Sequence, residues 1–195
     1  MGEKAKIKKQ LILGKAREVF VEKGYKRTTM KDIVEKSEIS RGGLYLYYEN
    51  PAQIFLDVLK SDSAVGEDSF EGEIPEDATA ADILLMFLQE EKKEILRKKD
   101  SLVQATYEYY FENKPPKRDN ILKRDFETAV AMLEKLIASG VRSKEFVCKT
   151  PAEAARSIMY TLEGLRISAQ TIGITGDAID RQIYYILLSL GVSEK

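Results

Sequence analysis

The sequence has no histidine, no tryptophan and a single cysteine, Cys148. Without histidine there is no Ser-His-Asp or Cys-His catalytic unit, and no histidine-ligated metal or haem site. One cysteine cannot close an internal disulfide, so a reducing, cytoplasmic setting is expected. Taken alone, the thiol reads as a small buried hydrophobe. No uninterrupted apolar run is longer than Ile83–Leu88, far short of a membrane span. The opening MGEKAKIKKQ lacks the apolar core of a secretion signal. Neither a G-x-G-x-x-G nor a P-loop sequence is present to hold a nucleotide. Carboxylate chemistry stays open, but no pair stands out from a charged helical surface. The expectation is a protein that is not an enzyme and carries no cofactor or metal.

What is present is an ordinary globular composition: 195 residues, 44% apolar and 32% charged, enough for one large domain or two small ones. The net charge of −1 hides an asymmetry. Residues 1–60 hold 13 Lys/Arg against 8 Asp/Glu, and the remainder holds 18 against 24. A basic front and an acidic rear suit a polyanion-binding head on a body that does not bind one.

Almost every segment reads as helix, with no internal repeat and no strand pattern. Ile7, Leu11, Ile12, Ala16, Val19 and Phe20 recur at helical spacing, and Gly24 follows as a stop. Thr29 with Asp32 three residues on predicts a capping box for a short helix. Ser40 can cap the next helix. Asn50 and Pro51 open another, with Ile54, Phe55, Val58 and Leu59 inward. The polar stretch from Ser61 to Ala80 marks the expected boundary, giving a head over 1–60 and a body over 61–195. In the body, helices are expected at about 80–99, 101–112, 120–139 (ended by Gly140), 151–172 and 176–190. The run Ile83–Leu88 is apolar on all sides and is expected to be buried centrally.

The stretch SRGGLYLYY, residues 40–48, carries two adjacent glycines inside a short helix, each costing roughly 0.8–1 kcal/mol relative to alanine. Two short helices joined by a few residues, after a longer one, fit a helix-turn-helix, whose second helix enters the major groove. Gly42 and Gly43 then let the backbone approach DNA, while Arg41 can reach a guanine bidentately. Tyr45 and Tyr47 can bond phosphate oxygens, as can Thr29 and Lys31 from the preceding helix. Met30 and Ser40, at the two helix starts, are counted with them. Leu44 and Tyr48 read as core.

The run TTMKDIVEKSEISRGGLYLYYENPAQIF, with the lead-in F-x-x-x-G-Y-x-x-T-T from Phe20 to Thr29, resembles the DNA-binding domain of TetR-family transcriptional regulators. The resemblance covers about residues 7–60. It implies that Thr29, Arg41, Gly42, Gly43, Tyr45 and Tyr47 line a double-stranded DNA interface. It departs from the family at Leu46, where histidine is frequent, and at Pro51, where a lysine often meets a phosphate and proline offers neither amine nor N–H. The body resembles the family only in general layout. The resemblance implies an all-α fold: a three-helix head, and a body that holds a small-molecule pocket and forms a homodimer through its last two helices. The apolar run IYYILLSLG is consistent with one face for the core and another for a two-fold partner. Met86, Tyr107, Tyr110, Phe111, Met132 and Met159 are candidate pocket residues, with Glu163 or Arg166 as a polar handle. Each taken singly reads as core. The reading is a repressor released from a pseudo-palindromic operator by an apolar or aromatic effector. Its rivals are an activator, a ligand-independent DNA binder, or a helical carrier or enzyme whose head no longer binds DNA.

Overall fold

The computed structural model describes residues 2–70, 75, 77–97, 100–116 and 119–192, with residues 64–70 described by their backbone alone. Among the described residues there are nine α-helices and no strand. They form two compact units. One is Met1–Ser69 with Lys99–Ile121, and the other is Phe70–Lys98 with Leu122–Lys195. The division therefore differs from a single cut near residue 60, because a later helix belongs to the first unit.

In the first unit α1 (Glu3–Lys23) buries Ile12, Ala16, Val19 and Phe20 on one face. Ile7 and Leu11, expected on that face, are exposed, because the first turns of α1 precede the buried set. Gly24 ends the helix at φ +75, with its N–H bonded to the Phe20 carbonyl. Such a left-handed residue favours glycine. Helix α2 (Met30–Ser37) starts at the Thr29–Asp32 capping box, and α3 (Arg41–Tyr45) at Ser40, whose hydroxyl accepts the Gly43 N–H at 3.1 Å. Helix α4 (Pro51–Phe70) starts at Asn50, which accepts the Gln53 N–H at 3.0 Å, and continues well into the stretch expected to be the boundary.

The remaining helix of this unit is α6 (Val103–Glu112). Leu102, Ala105 and Tyr109 join Phe20, Phe55 and Ile33 in one core. The Tyr109 ring lies 5.0 Å from Tyr25 and 5.3 Å from Phe55, and Phe20 meets Phe55 edge-on at 4.7 Å. Each such aromatic pair is worth about 0.5–1.5 kcal/mol beyond its buried area. The Glu108 carboxylate fills the niche left by Gly24, where a Cβ would lie 2.6 Å from Oε2. It accepts the Lys26 N–H at 3.0 Å and the Gln104 amide at 2.8 Å. Burial raises its pKa, but these hydrogen bonds outweigh burial and hold it below the usual range.

The second unit packs α5 (Ala80–Leu96), α7 (Ile121–Arg142), α8 (Pro151–Thr171) and α9 (Gly176–Ser189) around Leu84, Leu88, Leu133, Ile137, Leu162 and Ile179. Of the run Ile83–Leu88, only Leu84, Phe87 and Leu88 are buried, and Leu85 is exposed. Periodicity along α5, rather than overall apolarity, decides what is inside. Gly140, expected as a stop, lies within α7. A Cβ there would overlap the Phe146 ring that folds back over the helix, so this glycine is a packing notch. Lys92 and Asp180 pair at 2.5 Å, and Arg156 and Glu127 at 3.2 Å.

Candidate nucleic-acid interface

Local capping sets the geometry of the α2–α3 face. The Thr29 backbone N–H and hydroxyl both donate to Asp32 Oδ2, at 2.8 and 2.7 Å, and the hydroxyl accepts the Asp32 N–H at 3.3 Å. Lys23 donates to the other Asp32 oxygen at 2.6 Å. The Lys23 and Thr29 hydrogen bonds hold the Asp32 carboxyl down at a pKa of about 2. Thr29 was expected to offer its hydroxyl to a phosphate, but its one proton is already given to Asp32. Met30 is half-buried against the core. Lys31 extends into solvent, 3.7 Å from Glu35.

The turn from α2 to α3 passes through Glu38 in the left-handed region, φ +56. Across it the expected DNA-facing residues separate into two groups. Arg41, Gly42 and Tyr45 are exposed, with the Arg41 guanidinium 5.6 Å from the Tyr45 ring centre. A Cβ on Gly42 would meet nothing within 4 Å. Gly43 is buried instead. A Cβ there would lie 3.0 Å from Ser40 Oγ and 3.4 Å from Lys8 Nζ. Close packing accounts for Gly43, while open space at Gly42 leaves room for an approaching surface. Tyr47 is half-buried against the core. Leu44 and Tyr48 are core, as expected. The Tyr48 hydroxyl donates to Asp57 at 3.1 Å, and burial together with the Asp57 charge pushes its pKa up. Asp57 itself is raised by burial, but Lys9 and Lys60 outweigh that and hold it low.

The residues expected around an effector are not gathered in one unit. Tyr107, Tyr110 and Phe111 lie on α6 in the first unit; Tyr110 packs on Tyr109, and Phe111 is exposed. Met86, Met132, Met159, Glu163 and Arg166 lie in the second. There Met159 is core, Met132 is exposed and Met86 is half-buried. Arg166 pairs with Glu163 on its own helix and with Glu91 on α5, all three side chains about one-fifth exposed. Sequence reasoning missed Glu91, because nothing local marks which helix faces Arg166. It also missed Lys8, whose only signal was membership of the lysine-rich opening. An open depression of about 350 Å³ on α8, lined by Glu153, Arg156, Ser157, Tyr160 and Thr161, contains none of the expected pocket residues. Among the described residues no cluster of three potential metal ligands occurs. No helix among them is long and apolar enough to cross a membrane.

A capped helix-turn-helix with an exposed arginine at the start of its second helix, within an all-α chain, defines a helix-turn-helix protein. Residues 12–58 match the family described as bacterial regulatory proteins, tetR family, and residues 83–180 match the tetracyclin repressor-like C-terminal domain. The uncharacterized HTH-type transcriptional regulator YfiR of Bacillus subtilis is 29% identical over 69% of this chain and 66% of its own length. The HTH-type transcriptional regulator QacR of Staphylococcus aureus is 35% identical over 33% of this chain and 35% of its own. The chain thus spans less than two thirds of either relative. A TetR transcription regulator from Haloarcula marismortui has the same fold, with TM-score 0.81 at 18% identity over 95% of this chain and 97% of that one. So does a TetR/AcrR-family regulator from Thermobifida fusca, with TM-score 0.71 at 21% identity over 95% and 98%. The chain belongs to the TetR family of bacterial regulatory proteins, whose members are DNA-binding transcription regulators rather than enzymes.

Proposed function

We propose that the protein is a cytoplasmic, homodimeric transcriptional repressor that binds a pseudo-palindromic operator through α2 and α3 and is released by a small apolar or aromatic effector held in the body. The observation that carries the DNA reading is the exposed edge of α3. Arg41 and Tyr45 stand in solvent, and Gly42 between them has open space where a side chain would be. Bases in the major groove are read by side chains of this kind.

Support for the dimer comes from exposed apolar stripes on the last two helices. Tyr160, Gly164 and Ile167 follow one face of α8, and Tyr184, Tyr185 and Leu188 one face of α9. Contiguous exposed apolar area is costly to leave in water. Two identical heads related by a two-fold axis would meet two half-sites in register. An effector is oriented, in this reading, by a charged group of the Glu91–Arg166–Glu163 set.

The test is selection of bound duplexes from a random-sequence pool, followed by titration of the complex with lipophilic cations, aromatic acids and acyl compounds. An enriched inverted repeat is expected. Arg41→Ala should cost about 1–3 kcal/mol and relax preference at one position of each half-site. Enrichment of no sequence, or an unchanged preference in Arg41→Ala, removes this reading of α3.

A further inference from the structure

Most cations of residues 2–60 are already neutralised by carboxylates. Lys9 pairs with Asp57, Arg17 with Asp62, Lys23 with Asp32 and Lys36 with Glu18 and Glu22. Lys15, Lys26, Lys31 and Lys60 are paired too. Among the described residues Lys4, Lys6, Lys8, Arg27 and Arg41 have no carboxylate partner. The positive balance of the head therefore resides in a few side chains, and their positions matter more than the total.

Two of them lie on one line. Lys4 and Lys8 are four residues apart on α1, on the same helix face and about 6 Å apart along its axis. Lys8 Nζ reaches the start of α3, 3.4 Å from where a Cβ of Gly43 would sit. Its ammonium thus stands beside the Ser40 cap, one residue from the exposed Gly42 and two from Arg41. The only acid in these first turns is the exposed Glu3.

We infer that the first two turns of α1 form a second DNA contact, in which Lys4 and Lys8 bind the phosphate backbone flanking the groove that α3 enters. This rests on the reading of α3 as the base-reading helix and adds to it a sequence-independent grip. A lysine is a point charge suited to phosphate rather than a bidentate base reader. Lys8 would fix the register of the recognition helix on the duplex, and Lys4 would extend the contact along the strand.

The experiment measures how affinity for the selected duplex depends on salt, for the wild-type protein, Lys4→Gln/Lys8→Gln, Lys8→Arg and Arg41→Ala. Each phosphate contact contributes about 0.9 to the slope of log affinity against log salt concentration. The double variant should flatten that slope by about 1.8 per bound head and weaken binding to random duplex as well, with base preference unchanged. Lys8→Arg should keep the wild-type slope, and Arg41→Ala should change base preference. A double variant with the wild-type slope overturns the inference while leaving the α3 reading intact. A double variant with altered base preference also overturns it, because the lysines would then act by shaping α3. A wild-type protein that selects no duplex removes the α3 reading itself, and this inference with it.

Discussion

Single residues in the helix-turn-helix carry separable burdens. Gly42 and Gly43 look alike in the sequence, yet only Gly42 has open space around it. Gly42→Ala should therefore raise the stability of the free protein by roughly 0.5–1 kcal/mol through helix propensity, while weakening DNA binding by obstructing close approach. Gly43→Ala should bring no such gain, since the new methyl presses on Ser40 Oγ and Lys8. Chemical denaturation read beside a binding isotherm separates the two. Gly42→Ala with full DNA affinity would falsify the close-approach reading.

Glu38 occupies the left-handed region without being glycine, at φ +56. That conformation costs an ordinary residue about 1–2 kcal/mol, and glycine loses about 0.4–1 kcal/mol of unfolded-state entropy in return. Glu38→Gly should raise stability by roughly 0.5–1 kcal/mol. An unchanged or lowered urea midpoint would show that Glu38 gains something in place that compensates.

Asp32 joins a hydrogen bond from Lys23 to the capping box, and its carboxyl is held at about 2 against an ordinary 3.8. A depressed folded-state pKa means that its stabilisation is present above about pH 4 and is lost as pH falls toward 2. Melting temperatures of wild type and Asp32→Asn should therefore differ at neutral pH and converge in acid. Curves that stay parallel down to pH 2 would contradict that assignment.

At the scale of elements, the informative case is α6. Its sequence showed a helix rich in aromatics, and that suggested a ligand wall. The structure puts Tyr109 into the core of the first unit and Glu108 into the niche at Gly24. Helical period identifies which face of α6 is apolar but not which surface covers it. If α6 completes this core, Tyr109→Ala should cost about 3–5 kcal/mol, in line with other large aromatic truncations. A fragment ending at residue 70 should also lack a cooperative thermal transition by circular dichroism. A sharp two-state melt of that fragment would show that the first four helices suffice. The Tyr109 hydroxyl, pushed up to about 12 mainly by burial, should resist ionisation in alkaline difference spectra.

For the whole molecule, the proposed dimer depends on which residues of α9 are free to meet a partner. The run IYYILLSLG is apolar on more than one face, and its sequence does not say which face meets the core. In the structure Ile186 is core and Leu187 is packed against it, while Tyr184, Tyr185 and Leu188 are exposed. Tyr185→Glu/Leu188→Glu should yield a folded monomer by sedimentation velocity with little change in helicity. Ile186→Glu should instead unfold the unit by burying a charge. A wild-type protein that sediments as a monomer at micromolar concentration would remove the dimer.

The sequence by itself determined the helical class, the capped starts at Thr29, Ser40 and Asn50, the helix-turn-helix and the family. These depend on residues within a few positions of one another, where spacing and backbone chemistry leave few alternatives. Tertiary structure alone decided that α6 joins the first unit, that Gly140 is a notch for Phe146 and not a stop, and that Gly43 is packed while Gly42 is open. It alone placed Glu91 against Arg166 and Lys8 against the start of α3. In each case the partner comes from another helix, and a local pattern that names an apolar face or a charge carries no record of what the folded chain sets opposite it.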